Sequence, residues 1–346
     1  MAKNDIKNFY KNNNISDEEL TDFIKYNQDN KIPVNLKNDR KIDLVYCWCD
    51  ASDEQFREKK NYWLKKLGIS FDEFVDDCRW RDNDELRYSL RSVEKFIPWI
   101  NHIYIVTDNQ VPYWLDTDNP KITIVDHKDI IPEEYLPTFN SDIIACFVPY
   151  IKGLSEYFIL SDDDCFVNDY LKPSYFFTDD GKPILNQKYL KPKDGIYSKK
   201  IKMANDNINK LFKTKYSLQP AHQMSANKKS LNIDNFNNPL FKDKLYEKFR
   251  YKCRSDKDLF SYFNFSLYNN IRNKNIFRVV KNQTLLDKIL KRPYEFLYIV
   301  KHYKNILKYK PKLFCINDEQ KLSDEDREKN KRFLEQYFNV KSSFEK

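Results

Sequence analysis

Between residues 41 and 162, short apolar runs alternate with amphipathic stretches of helical period. Lys41–Cys49 (KIDLVYCWC), His102–Thr107 (HIYIVT), Lys121–Val125 (KITIV) and Tyr157–Leu160 (YFIL) are β-branched or aromatic and read as strands. Between them, Glu54–Leu67 reads as a helix, and Leu86, Leu90, Val93 and Ile97 recur at the spacing of one helical face. Asn83 or Asp84 is the expected N-cap of that second helix, and Pro98 its stop. Thr138–Ser141 opens a third, expected to run to about Ile151. Strands alternating with helices predict an α/β fold with a doubly wound, largely parallel sheet. The strands run into acidic residues: Asp50 and Asp53 after the first, Asp108 after the second, Asp162, Asp163 and Asp164 after the last. Ligands of such sheets sit beyond the carboxyl ends of the strands, so these carboxylates are expected along one edge.

The flanking regions read differently. Residues 1–37 are polar and Asn/Lys-rich, with a short amphipathic helix around Asp17–Tyr26, and form an expected N-terminal helical arm. The α/β core is expected over 38–180. Residues 181–215 are Lys/Asn-rich with weak periodicity and read as an insertion or lid. Residues 216–346 read as mainly helical, with helices at Lys242–Lys252, Asp256–Tyr268, Thr284–Leu290 and Asp324–Phe338, and complete the site.

Composition narrows the chemistry. The 346 residues, 41% of them hydrophobic, suffice for one large α/β domain with an appended region. Only 4 glycines are present, and neither a GxGxxG nor a P-loop occurs, which excludes the usual Gly-rich phosphate cradles. The 7 cysteines are odd in number and scattered, several inside apolar runs, and Cys47-x-Cys49 lacks a second pair. Neither a disulfide scaffold nor a zinc site is favoured. The net charge of +8 is spread along the chain, so no nucleic-acid partner is expected. That charge suits phosphorylated substrates or an anionic membrane surface. With no signal peptide and no run of 18 apolar residues, a cytoplasmic location is the expectation.

Several residues could carry chemistry. Asp162 and Asp163 follow an apolar strand abruptly, which suits Mg²⁺ or Mn²⁺ bridging phosphate oxygens; the plainer reading is an acidic turn that solvates a strand end. Arg87 and Arg91 lie four apart near a helix start, a place to hold a diphosphate, or a solvated face pairing with Glu94 and Asp84. Asp50 and Asp53 are weaker candidates for nucleotide or sugar contacts, and the adjacent Trp48 stacks on a base or fills the core. His222, one of 4 histidines, lies in a loop-like Gln219–Met224 segment followed by Lys228 and Lys229, and is a general base or a structural histidine. Lys252, Arg254 and Lys257 contact phosphate or form a charged helix surface.

Taken in order, four blocks resemble the Stealth family, the bacterial capsule-type sugar-phosphate transferases related to the catalytic part of animal GlcNAc-1-phosphotransferase. The blocks are Ile42–Ala51; Arg81–Ser92, continuing through Ile103–Asp108, Phe139–Ser141, Gly153–Glu156 and Asp162-Asp163; Pro220–Lys229 with Arg254, Ser255 and Asp258; and Cys315–Asp318. The resemblance implies a GT-A-like fold that uses a UDP-sugar donor and a divalent metal. An acceptor hydroxyl on a growing capsule or cell-surface glycan attacks the phosphorus carrying the sugar, UMP leaves, and a phosphodiester forms. It implies Asp162 and Asp163 as metal ligands, His222 as the base, and Arg87, Arg254 and Asp84 as further catalytic residues. Trp48, Asp50, Asn83, Arg91, Asn140 and Lys229 become donor or substrate contacts. The chain departs from the family pattern at Ala51 in place of Gly, Ser161 in place of Asn and Met224 in place of Pro. Asp142–Tyr150 is largely apolar where the family is often rich in His, Glu and Arg, which bears on acceptor recognition. Two other readings are an ordinary GT-A glycosyltransferase releasing UDP and a non-catalytic sugar-nucleotide-binding protein. Peripheral attachment to the inner membrane through a Lys-rich segment such as Lys301–Lys312 is expected from charge alone.

Overall fold

The structure is a computed structural model that describes residues 40–69, 77–190, 196–254, 262–272, 276–279, 295–301 and 303–346. The expected N-terminal arm with its helix at Asp17–Tyr26, the helix at Thr284–Leu290, and Ser255, Lys257 and Asp258 lie outside the described residues. In chain order the elements are β1 (Ile42–Cys47), α1 (Glu54–Leu67), α2 (Glu85–Phe96), β2 (Ile103–Thr107), β3 (Ile122–Asp126), α3 (His127–Ile130) and α4 (Ser141–Phe147). There follow β4 (Tyr157–Asp162), β5 (Cys165–Val167), β6 (Ile184–Tyr189), α5 (Ile196–Phe212), β7 (Leu218–Pro220), β8 (Ser225–Lys228), α6 (Lys229–Phe236) and α7 (Lys242–Phe249). The remainder is α8 (Phe263–Arg272), β9 (Ile276–Val279), β10 (Phe296–Ile299), α9 (Lys304–Tyr309), β11 (Leu313–Ile316) and α10 (Asp324–Tyr337).

The central sheet has the order β3-β2-β1-β4-β8. Its first four strands are mutually parallel, and β8 closes the edge antiparallel to β4. The chain steps outward from β1 to β2 and β3, then returns to the other side of β1 with β4. Strand order therefore reverses between β1 and β4, the position where such sheets bind ligands. The β1–β4 register sets Cys47 opposite Asp162, so Trp48–Asp50 and Asp162–Asp164 leave the sheet side by side.

Both faces of the sheet are buried, which is why its strands read as unbroken apolar runs. On one face Ile42, Leu44 and Tyr46 of β1 pack with Ile103, Ile105 and Ile159 against Leu86, Leu90 and Val93 of α2. On the other, Val45, Tyr104, Val106 and Phe158 pack against Ile143 and Phe147 of α4, Ile201 and Ile208 of α5, and Phe249 of α7. Asp43 is fully buried in β1 and accepts from the Asn101 amide and the Ser155 backbone N–H, both at 2.7 Å, which ties two loops to the first strand. The α/β, doubly wound, largely parallel sheet expected from the pattern is the one the chain forms.

Helix α1 matches its expected span. Asp53 accepts from Phe56 N at 2.7 Å as its N-cap, and Gly68 ends it at φ 64°. Helix α2 starts where expected but is capped differently. Asp84 occupies the N-cap position at φ 64° without a side-chain capping bond. Its carboxylate is engaged by Lys331 at 2.5 Å instead, and Glu85 accepts from Asn83 N at 2.6 Å. Residues 184–190 and 196–212 hold β6 and α5, and Ile201, Ala204 and Ile208 of α5 are buried at helical spacing while Lys199, Lys202, Asp206 and Lys210 are exposed. Beyond residue 216 helices predominate, and the short strands β7, β8, β10 and β11 join them. Runs of 3 or 4 residues are too short for period to separate strand from helix. Strand β11 pairs antiparallel with β5 and parallel with β10, and the second sheet so formed packs Phe166, Phe314 and Phe338 in a stack beside the first.

Candidate active site

The turn between β4 and β5 distributes three successive carboxylates. Asp162 and Asp164 face His222, which the loop between β7 and β8 brings to the sheet edge: its Nε2 lies 3.6 Å from Asp162 Oδ2 and 3.5 Å from Asp164 Oδ1. Asp163 is directed elsewhere and groups with Asp82 and Glu85 from the start of α2. The His222 side chain is 40% exposed and that of Asp162 57%, so this side of the turn is open to a substrate.

Charge differs sharply between the two sides. Burial favours the neutral imidazole of His222, but the carboxylates of Asp164 and Asp162 prevail and hold its pKa up at about 9. Burial pushes Asp164 upward, yet the His222 charge and the thiols of Cys315 and Cys165 keep it below the usual carboxylate range. Across the turn, no cation is among the leading influences on the carboxylates. Burial, reinforced by the neighbouring carboxylates, raises Asp82 to about 7 and Glu85 to about 8, and lifts Asp163 well above the ordinary value. The ligand oxygens of Asp82, Glu85 and Asp163 all lie within 4.8 Å of one another, and Asp82 Oδ1 is buried without a hydrogen-bond partner among the described residues. Three hard oxygen donors with one orphaned atom are the donor set of a Mg²⁺- or Mn²⁺-type ion, so a divalent cation fits there.

Other expected residues surround this centre. Trp48 is buried and stands close enough to Asp82 to moderate the rise of its pKa from the core side. Asn83 donates to Glu85 Oε1 at 2.7 Å. Arg254 donates to Ser141 Oγ and stands close enough to Asp142 and Asp162 to act on their charge. Asn140 is buried and caps α4 by accepting from Asp142 N at 3.2 Å. Asp50 accepts from Ser52 N at 2.7 Å and from its hydroxyl at 2.6 Å, while Gln110 brackets the Asp50 backbone.

A second group of expected residues lies apart. Arg87 and Arg91 grip Glu345, with Nε–O distances of 2.6 Å each, and Arg91 Nη1 also donates to the Phe338 carbonyl at 2.6 Å. The partners weighed for them in the sequence, Glu94 and Asp84, are taken by Ser343 and Lys331. Lys229 donates its backbone N–H to Glu156 O at 2.8 Å and its Nζ to Leu154 O at 3.3 Å, both structural contacts. Asp84, through Lys331, belongs to the α2–α10 contact.

Sequence reading passed over Asp82 and Glu85, although both lie in the Arg81–Ser92 block, because acidic residues before an apolar period read as a helix start. It also missed the Asp318 network. Asp318 binds Arg81 Nη1 at 2.6 Å and Arg327 Nε at 3.0 Å beside Asn83 and Glu85. The signal was present in the Cys315–Asp318 and Arg81–Ser92 blocks, but Arg327, the second partner, lies in α10, outside every motif. Asp142, in the stretch that departs from the family pattern, is salt-bridged to Lys200 at 3.4 Å and Lys248 at 3.5 Å, which with Arg254 outweigh its burial and hold it at about 2.

Fold and site together define an α/β protein with a polar, carboxylate-lined centre at the switch point of its sheet. Residues 79–185 match the profile of conserved region 2 of the Stealth proteins. The chain thus carries that region, and the resemblance read from its blocks is borne out. Among curated proteins it is 45% identical over 140 residues to the capsular polysaccharide phosphotransferase fcs1 of Haemophilus influenzae, covering 40% of this chain and 38% of that one. It is 43% identical over 144 residues to the exopolysaccharide phosphotransferase cps2G of Lactiplantibacillus plantarum, covering 41% of each. It is 36% identical over 195 residues to the capsular polysaccharide phosphotransferase WcwK of Streptococcus pneumoniae, covering 53% and 55%. The matched part is therefore about half, or less, of each relative. A solved galactosyltransferase, LgtC with donor and acceptor sugar analogues, is a loose structural likeness at a TM-score of 0.45 and 11% identity over 87% of this chain and 96% of that one. Among the described residues no helix is long and apolar enough to cross a membrane.

Proposed function

We propose that this chain transfers a hexose-1-phosphate, an N-acetylhexosamine-1-phosphate in the form we favour, from a UDP-sugar to a hydroxyl of a capsule or cell-surface glycan, releasing UMP. The observation that carries the reading is His222 lodged between Asp162 and Asp164, with the separate carboxylate group of Asp82, Glu85 and Asp163 on the other side of the same turn. The phosphotransferase names of the matching relatives favour phosphoryl over glycosyl transfer.

His222 takes the proton of the acceptor hydroxyl, and Asp164 and Asp162 stabilise the imidazolium that results. Arg254, held on Ser141 at the start of α4, supplies positive charge to the phosphoryl oxygens. Asp163, Asp82 and Glu85 would hold Mg²⁺ or Mn²⁺, and the ion would supply positive charge toward the leaving nucleotide. Asp162, proposed from sequence as a ligand beside Asp163, contributes instead to the imidazole side in this reading. Asn83 positions that carboxylate group through its bonds to Glu85, and Trp48 packs beside Asp82. Cytoplasmic action on an inner-membrane-associated glycan, with the Lys301–Lys312 segment facing anionic lipid, belongs to the same proposal. Flotation with anionic liposomes tests that part, and absence of co-flotation removes it.

Nucleotide release tests the reaction. Purified protein, Mg²⁺, a panel of UDP-sugars and short capsule-like acceptors are expected to yield acceptor-dependent UMP, lost in His222→Ala and Asp163→Ala. Release of UDP instead would assign ordinary glycosyl transfer. UDP-sugar binding without release of either nucleotide would assign a binding protein.

A further inference from the structure

The imidazole side of the turn holds more than a base and its carboxylates. Cys165 and Cys315 are directly opposed Cα partners in the antiparallel β5–β11 pair, and Asp164 immediately precedes β5. Cys315 Sγ lies 3.1 Å from Asp164 Oδ2, Cys165 Sγ 3.6 Å from Asp164 Oδ1, and His222 Nε2 3.5 Å from that same Oδ1. One donor atom from each of Asp164, Cys165, His222 and Cys315 lies within 4.8 Å of the other three. A tetrahedral zinc shell, with bonds of about 2.3 Å to sulfur and about 2.0–2.2 Å to nitrogen or oxygen, has donor–donor edges of roughly 3.3–3.8 Å. The contacts around Asp164 already have nearly that size. Four donors from three distant parts of the chain, two of them thiols, form a set quite unlike the all-oxygen group of Asp82, Glu85 and Asp163.

We propose that Asp164, Cys165, His222 and Cys315 form a binding site for a thiophilic divalent cation, zinc being the type case, and that filling it withdraws His222 from catalysis. The withdrawal rests on the reading of His222 as base; the metal site does not. Access is from the exposed side of His222 and Asp162, since both thiols are buried. Binding releases the two thiol protons and the imidazolium proton of His222 to solvent, so two thiolates, one carboxylate, a neutral imidazole and the divalent ion leave a net charge of −1 on the site. With Nε2 on the metal, the nitrogen that faces Asp162 and Asp164 can no longer accept a proton. A hard Mg²⁺-type ion prefers the carboxylate group across the turn, so the two sites select different metals.

Cobalt is the probe. The full-length protein, stripped with chelator, is titrated with Co²⁺ and followed by absorption, and UMP release is assayed in parallel with added Zn²⁺. The expected result is a thiolate-to-cobalt charge-transfer band with tetrahedral visible bands that saturates at one equivalent. One equivalent of zinc should remove it and excess Mg²⁺ should leave it intact. The band should be lost in Cys165→Ser and Cys315→Ser, with circular dichroism confirming that each variant is folded, and its visible part should shift in His222→Ala. No charge-transfer band in the wild-type protein overturns the site whatever the variants do. A band unchanged in both cysteine variants also overturns it, because the metal then sits on other thiols such as Cys47 and Cys49. A cobalt spectrum as expected, but with UMP release insensitive to stoichiometric zinc, keeps the site and overturns the withdrawal of His222.

Discussion

Two charged clusters flank helix α2, and they are built on opposite plans. At its start, Asp82 and Glu85 join Asp163, and their pKa values are driven up by burial and mutual repulsion. Along its length, Arg87 and Arg91 close on Glu345, whose carboxyl they hold at about 2 against the effect of its burial. The second cluster is complete in itself: every charge has its partner in good geometry, and little is left to attract a ligand. The first is incomplete and stores the repulsion that a bound cation would relieve. The difference teaches where to look for chemistry in a charge-rich chain: an unbalanced buried group points to a ligand, and a balanced one points to structure.

The comparison can be broken by substitution. The largest effect is expected at the open centre, where His222→Ala lowers UMP release about 10²–10⁴-fold, the usual contribution of a positioned base, with the melting temperature nearly unchanged. The wild-type kcat/KM is expected to rise with pH as the imidazolium loses its proton, on a limb near 9 rather than the 6.5 of free imidazole; a limb at the free value would remove the role given to Asp162 and Asp164. In the closed cluster, Glu345→Gln leaves two arginines uncompensated and should cost about 3 kcal/mol, read by urea denaturation. Because the Glu345 pKa is lower in the folded chain, its stabilisation is present above about 4.5 and lost as pH falls toward about 2, so the wild-type and Gln curves should converge in acid.

Somewhat smaller is the gain from metal. Mn²⁺ at 100 times its dissociation constant should stabilise the protein by about 2.7 kcal/mol, and Asp163→Asn should abolish that gain. Equal stabilisation of the variant would move the ion away from this carboxylate group. Arg87→Lys sharpens the contrast. A lowered melting temperature with donor affinity retained assigns Arg87 to the clamp, whereas weakened donor binding at unchanged stability restores the diphosphate role expected from sequence. Smallest is Asp53→Ala, which removes the α1 cap bond and should cost about 1 kcal/mol in thermal unfolding.

Much of the frame was legible. Leu86, Leu90, Val93 and Ile97 are each buried as their spacing required, and β1 to β4 lie where the β-branched runs lie, because a doubly covered parallel sheet favours apolar residues at most strand positions. The order of those strands could not be read, since pairing is a long-range choice that local pattern does not encode. The same holds for the short strands after residue 216, whose partners β4 and β5 lie far back in the chain. The arginines of α2 show the limit from the other side. Their spacing correctly put them on one face, but a face has no meaning until its neighbour is known, and that neighbour is Glu345, at the far end of the sequence.

By itself the sequence determined the alternation of strands and helices, the burial of α2 and the acidic ending of β4, because these follow from side-chain period and hydrophobicity within a dozen residues. It also carried the Stealth blocks, and with them His222 and the Asp162–Asp163 pair as the residues to examine. Only the tertiary structure decided how the three aspartates divide between a histidine and a carboxylate group, and that Cys165 and Cys315 meet beside them. The physical reason is geometric. Successive residues of a tight turn point in different directions, and which partners stand there depends on strand register and on loops closed across more than a hundred residues.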